Sequence, residues 1–225
     1  MEKLIAGIAK FQNEVFPKNR EFYQQLAAGQ QPDTLFIGCA DSRVVPNEFM
    51  QARPGELFIC RNAGNIVPPY GNALGGTSAT VEYAVHILKV RHIVVCGHSD
   101  CGAMRALMNP ERVKGLRAIS EWIRHAERVA AVAQELHSHL DEPEYLTRLI
   151  EENVITQLDN LMTYPGVAAM MRSGKLMLHG MVFDIGTGCV SMLDRQNLTF
   201  RPLEEFMEIV QRQRDRQPLP LQVPV

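Results

Sequence analysis

Cys39 opens the run Cys39-Ala40-Asp41-Ser42-Arg43 at the end of one apolar stretch, and His98-Ser99-Asp100-Cys101 ends another. Two thiols, one imidazole and a nearby carboxylate form the donor set of a metal site. Thiolates combined with imidazole select a borderline-soft ion, for which zinc is the default. His98 and Cys101 are close enough in sequence to ligate one ion from a turn entering a helix, and Cys39 must then arrive from a different strand. Two Cys and one His leave a fourth tetrahedral position. A structural site normally fills it with another Cys or His, whereas a catalytic site leaves it for water or a displaceable carboxylate.

Asp41 is the candidate for that place. It can ligate the metal directly or accept a hydrogen bond from a metal-bound water, and Arg43 can hold its carboxylate through a bidentate pair. With the pair formed, zinc is free to carry hydroxide near neutral pH. With Arg43 released, the carboxylate closes the site. Two other readings of the same residues stand beside this one. One is a closed, non-catalytic zinc site in a metal-stabilised oligomer. The other is a thiol hydrolase triad of Cys39, His98 and Asp41, which leaves Cys101 and Arg43 without roles. Gly71, Gly75 and Gly76 form neither a dinucleotide fingerprint nor a phosphate loop.

The elements that must position these groups read as alternating strands and helices. Residues 3–28 carry helical periodicity, with Leu4, Ile5, Ile8, Phe11 and Val15 on one face and a break expected near Phe16-Pro17. Such an arm needs an apolar partner, and a neighbouring subunit would supply one. Strands are expected over Thr34–Cys39, Glu56–Arg61, Arg91–Gly97 and Lys175–Asp184, with Gly188–Leu193 returning as a hairpin partner. Between them, 62–76 reads as a glycine- and proline-containing loop. Helices are expected over Thr77–Leu88, Gly102–Met108, Leu116–His137, Glu144–Leu161, Pro165–Arg172 and Pro202 to about Arg216.

This order implies an α/β fold: one domain with a central, mostly parallel sheet of four or five strands flanked by helices. Residues 1–216 are assigned to it, arm included, and 217–225 form a Gln/Pro-rich tail. Parallel sheets bind ligands beyond the carboxyl ends of their strands, where Cys39 and His98 both fall.

The 225 residues are 46% hydrophobic with a formal net charge of −2, which gives no reason to expect nucleic acid, and no 18-residue apolar run is present to span a membrane. The N-terminus lacks the pattern of a secretory signal. Five cysteines, an odd number, in a chain of this size fit a reduced, cytoplasmic protein. Cys60, Cys96 and Cys189 are expected to be small buried hydrophobes. His86, His92, His125, His137, His139 and His179 have no comparable companions and read as surface or satisfied core residues.

The chain resembles the beta-class carbonic anhydrases, near their plant-like branch. The resemblance rests on CADSRVVP at 39–46, PGELFICRNAGNIVPPYG at 54–71, SATVEYAV at 78–85 and HIVVCGHSDCGAM at 92–104. It implies one zinc per subunit held by Cys39, His98 and Cys101, with Asp41 and Arg43 as the catalytic dyad. Zinc-bound hydroxide would attack carbon dioxide to give bicarbonate and a proton. Gln30, Phe58, Tyr83 and the N–H of Gly102 would line the substrate pocket, partly from the facing subunit. The family's unit is a dimer wrapped by N-terminal helices, often paired again into a tetramer. A nearby alternative is a zinc hydrolase of another small substrate, such as carbon disulfide or carbonyl sulfide. Some bacterial members hold an inhibitory bicarbonate between a Trp, an Arg and a Tyr. The matching positions here are Phe36, Arg61 and Phe183, and neither phenylalanine can donate a hydrogen bond.

Overall fold

The computed structural model describes residues 1–216; the 217–225 tail lies outside the described residues. Strands β1 (Thr34–Cys39), β2 (Leu57–Asn62), β3 (His92–His98), β4 (Met177–Phe183), β5 (Val190–Asp194) and β6 (Thr199–Pro202) form one sheet in the order β2-β1-β3-β4-β5-β6. The first four run parallel, while β5 and β6 are added antiparallel. The sheet therefore has six strands, not the expected four or five. β6 escapes a sequence reading because it is four residues long and ends in Pro202, which itself reads as a helix start.

The helices are α1 (Glu2–Lys10), α2 (Phe16–Lys18), α3 (Arg20–Ala27), α4 (Pro46–Phe49), α5 (Gly76–Glu82), α6 (Gly102–Met108), α7 (Arg117–Ile123), α8 (Glu127–His137), α9 (Glu142–Met162), α10 (Pro165–Arg172) and α11 (Leu203–Arg216). Three helical stretches depart from expectation, the first being 77–88, where α5 ends at Glu82 and a widened turn continues over Tyr83–Leu88. The arm does not break at Phe16-Pro17 but at Asn19 (φ −120°, ψ 20°), because the widened turn Phe11–Val15 absorbs the proline. The stretch 116–137 splits into α7 and α8 across a tighter turn at Arg124–Ala126.

Both faces of the parallel strands are covered, so their apolar runs are continuous. Leu35, Ile37, Ile93 and Val95 pack against α5, α9 and α10, while Phe36, Val94 and Cys96 share the other face with Ile59 and Met192 of the same sheet and pack with Phe49. Helix α9 starts cleanly because the Asp141 carboxylate accepts the Glu144 N–H at 3.0 Å. It lies so close to the sheet that a Cβ on Gly97 would sit 3.0 Å from Ile150 and Val154. Cys60 and Cys96 are buried as expected. Cys189 is exposed, because it belongs to the tight turn joining β4 to β5 rather than to the core.

The arm buries none of its residues within the chain. Leu4, Ile5 and Ile8 are 64%, 58% and 59% exposed. Its tether to the body includes the Arg53 guanidinium over the Phe22 ring, 4.0 Å from the centroid.

Candidate active site

The order β2-β1-β3 places a topological switch point between β1 and β3. The chain leaves β1 toward one side of the sheet and crosses to the other through β3, which opens a crevice at their carboxyl ends. Cys39 ends β1 and His98 ends β3. Cys101 follows as the N-cap of α6. The intervening turn closes because Asp100 adopts a left-handed conformation (φ +58°), which aspartate tolerates better than most residues. One ligand atom from each of Cys39, His98 and Cys101 lies within 4.8 Å of the others, and all three residues are buried.

The local chemistry fits a zinc ion. His98 Nδ1 donates to the Ser99 carbonyl at 2.9 Å, because a carbonyl can only accept. This leaves Nε2 with its lone pair, and that buried nitrogen has no hydrogen-bond partner. An unpartnered imidazole nitrogen beside two thiols fits a zinc ligand set. The Cys101 thiol beside Cys39 holds the Cys39 thiol well below its ordinary range, against the effect of burial and with help from the Gly64 N–H. Cys101 is correspondingly pushed up, first by the adjoining Cys39 thiolate and then by burial. A dication held between the two sulfurs would let both ionise. Burial opposes the charged form of His98, but the Cys39 thiolate outweighs it and the net direction is upward.

Asp41 and Arg43 form the pair their spacing suggests. Arg43 Nε and Nη2 donate to Asp41 Oδ1 and Oδ2 at 3.0 and 2.8 Å, and the Arg43 N–H adds a bond to Oδ1 at 3.0 Å. This holds the Asp41 carboxyl far below the usual carboxylate range. Arg43 Nη1 also reaches Asp100 Oδ2 at 3.2 Å, and Arg105 Nε donates to Asp100 Oδ1 at 2.6 Å. The two ligand-bearing loops are therefore cross-linked by charge-assisted bonds. Arg61 braces the first of them through Cys39 O at 2.9 Å and Asp41 O at 2.6 Å.

Gly102 opens α6, so its N–H has no intrahelical acceptor, and a Cβ there would meet nothing within 4 Å. The other expected pocket residues do not gather at the triad within one chain. Phe58 and Tyr83 pair with ring centroids 5.8 Å apart. Phe58 aligns with Leu35, four positions before Cys39 on β1, or about 13 Å along the strand. Gln30 is exposed between α3 and β1. Around the bicarbonate-pocket positions, the Phe36 and Phe183 rings lie 6.1 and 4.6 Å from the Phe49 ring. Hydrocarbon occupies that region.

Several contributors carry no local sequence signal. The Gly64 N–H donates to Cys39 Sγ at 3.4 Å. Gly64 is left-handed (φ +79°), and a Cβ there would lie 2.9 Å from Ala103 Cβ. Its turn is fastened to one face of α9. Asn153 Nδ2 donates to Gly64 O, Gln157 Oε1 accepts from the Val67 N–H, and Asn160 Nδ2 donates to Val67 O, at 2.9, 2.8 and 2.9 Å. Tyr164 Oη adds Pro68 O at 2.9 Å. The histidines without expected companions also include one pair: His92 Nδ1 and His179 Nε2 are 3.0 Å apart.

Comparison with known proteins supplies the family. The carbonic anhydrase family model matches residues 34–190. A carbonic anhydrase of Pseudomonas aeruginosa is 47% identical over 209 residues, covering 93% of this chain and 94% of the relative. Carbonic anhydrase 1 of Escherichia coli O157:H7 is 47% identical over 203 residues, covering 90% and 92%. Among solved structures, the beta-carbonic anhydrase CcaA superposes with a TM-score of 0.87 at 41% identity, covering 90% of this chain and 98% of that one. A tetrameric beta-carbonic anhydrase of Sordaria macrospora superposes with a TM-score of 0.77 at 34% identity, covering 86% and 96%. With this kinship and a Cys39–His98–Cys101 zinc site, the chain belongs to the beta-class carbonic anhydrases, zinc lyases that reversibly hydrate carbon dioxide to bicarbonate.

Proposed function

We propose that the hydration runs in an open site in which Asp41 and Arg43 are the catalytic dyad. Zinc held by Cys39, His98 and Cys101 supplies the Lewis acidity that makes water nucleophilic near neutral pH. The observation that carries the reading is that both Asp41 oxygens are engaged by Arg43 while Oδ2 still lies 4.0 Å from His98 Nε2. The carboxylate is thereby kept beside the metal position without joining the ligand set. From there Asp41 accepts a hydrogen bond from the attacking water and turns a lone pair toward carbon dioxide. If Arg43 released it, Asp41 would be placed to serve as a fourth ligand and close the site.

Gly102 offers its free N–H to the oxygen on which charge develops. Gln30, Phe58 and Tyr83 complete the pocket, partly from the facing subunit: apolar rings suit uncharged carbon dioxide, and the Gln30 amide orients bicarbonate. The separation of Phe58 from Cys39 within one chain supports that division, as do the uncovered apolar residues of the arm. The protein is accordingly a homodimer or homotetramer. The phenylalanine cluster at Phe36, Phe49 and Phe183, with Arg61 spent on backbone carbonyls, favours a site without a bicarbonate lock.

A cytoplasmic location is supported by five free cysteines. Among the described residues, no helix is long and apolar enough to cross a membrane. The dyad is tested by Arg43→Ala with zinc content measured: hydration should collapse with one zinc retained, and X-ray absorption should show the fourth ligand change from a water oxygen to a carboxylate oxygen, with the carboxylate carbon as a new outer-shell scatterer. An unchanged rate would remove Arg43 and Asp41 from the proposal.

A further inference from the structure

The chain has a single tryptophan, and its polar atom is aimed at the metal centre through one peptide group. Trp122, on α7, is half-buried and donates its indole Nε1–H to the Ala63 carbonyl at 2.8 Å. The Ala63–Gly64 peptide that contains this carbonyl also contains the Gly64 N–H, which donates to Cys39 Sγ at 3.4 Å. In a planar trans peptide the C=O and N–H point in opposite directions. The indole and the sulfur therefore hold opposite edges of one plane. A donor on the carbonyl fixes the rotation of that plane and polarises its N–H, which strengthens the bond at the other edge.

The neighbouring carbonyl, Gly64 O, is fixed independently by Asn153, which is fully buried and itself tied to Gln157 at 2.9 Å. With Gly64 held left-handed, the turn has little freedom left except the tilt of the Ala63–Gly64 plane. Trp122 restrains that tilt.

We propose that Trp122 is a positioning residue of the zinc centre: its indole N–H sets the Gly64 N–H···S bond that tunes the Cys39 thiolate. Groups that hydrogen-bond to metal ligands commonly change metal affinity by one to two orders of magnitude when removed. Such a bond withdraws electron density from the sulfur and lowers its donor level. The inference rests on zinc being held by Cys39, His98 and Cys101, so the test must separate failure of that site from failure of Trp122.

The experiment uses Trp122→Phe, which keeps an aromatic ring on α7 and removes the donor. Cobalt-substituted enzyme should show its thiolate charge-transfer absorption at lower energy in Trp122→Phe than in the wild type. Chelator competition should show zinc held roughly tenfold more weakly. Asn160→Leu is the control. It loosens the same loop at Val67, so it should lower thermal stability and leave both readouts at the wild-type values. A wild-type band and affinity in Trp122→Phe would overturn the proposal, as would equal shifts in Asn160→Leu. Absence of any thiolate charge transfer in the wild type would instead refute the metal site. A second measurement needs no variant: enzyme loaded with NMR-active cadmium should show scalar coupling between the metal and the Gly64 amide proton. No coupling at that proton would also overturn the proposal.

Discussion

Asp41 Oδ2 stands 4.0 Å from Nε2 of His98 while accepting Arg43 Nη2 at 2.8 Å. The carboxylate is adjacent to the metal-binding nitrogen and committed elsewhere. Its partner is committed too, since Arg43 bridges to Asp100 on the loop that carries His98 and Cys101. A change in either member of the pair is therefore felt by both ligand-bearing loops.

Asp41→Asn keeps the shape and removes the charge that Arg43 grips. Carbon dioxide hydration should fall on the order of 100-fold, as for removal of one positioned proton-handling or charge-stabilising group. Zinc analysis should still return one ion per chain. Loss of zinc together with activity would make Asp41 an obligatory ligand rather than a positioned carboxylate.

Gly64→Ala should cost about 1–3 kcal/mol, since the new methyl meets Ala103 and the backbone is held at φ +79°. Denaturant unfolding checks the stability, and chelator competition should show weakened zinc retention because the Gly64 N–H must move. Stability equal to wild type would mean that the turn is far softer than its contacts imply.

Gln157→Leu deletes a fully buried side chain that links the Val67 N–H, Asn153 and Asn160. Leaving those partners unsatisfied should destabilise the fold by about 1–3 kcal/mol. The measurement is a urea midpoint at unchanged m-value. A neutral substitution would show that water replaces the amide.

His179 supplies a pH dependence away from the active site. Burial first, then His92 and Arg195, hold it below its ordinary value. The unfolded chain takes up this proton near pH 6.5 and the folded chain only at lower pH. Stability is therefore full above about pH 6.5 and falls as pH drops from there toward the folded value. His92, which Asp33 faces at 3.9 Å, is its closest titratable neighbour. In thermal melts, His179→Gln should flatten this stretch of the profile; an unaltered slope would assign the dependence to another group.

The site was legible where its residues are local. Cys39, Asp41 and Arg43 fall within five positions, as do His98 and Cys101, and each set follows an apolar strand with clear turn chemistry. The parallel strands could be read for the same reason. Trp122, Asn153 and Gln157 could not: Trp122 and Asn153 reach the site across 59 and 89 residues. Only the fold brings α7 and α9 over the 62–68 turn, and no periodicity announces which polar residue on a helix will find a loop carbonyl. Strand β6 was missed because pairing with β5, not its own composition, makes it a strand. Phe58 and Tyr83 mark the opposite limit, since family resemblance named them while one chain leaves them apart from Cys39.

Stopped-flow carbon dioxide hydration from about pH 6.5 to 9 tests the account most directly, run on protein of measured zinc content beside Asp41→Asn and Cys101→Ser, with pH spanning the range in which zinc activates water. The account predicts zinc-dependent hydration that rises with pH, abolished with the metal in Cys101→Ser and strongly reduced with the metal retained in Asp41→Asn. A wild-type protein with one zinc per chain and no hydration at any of these pH values would contradict it.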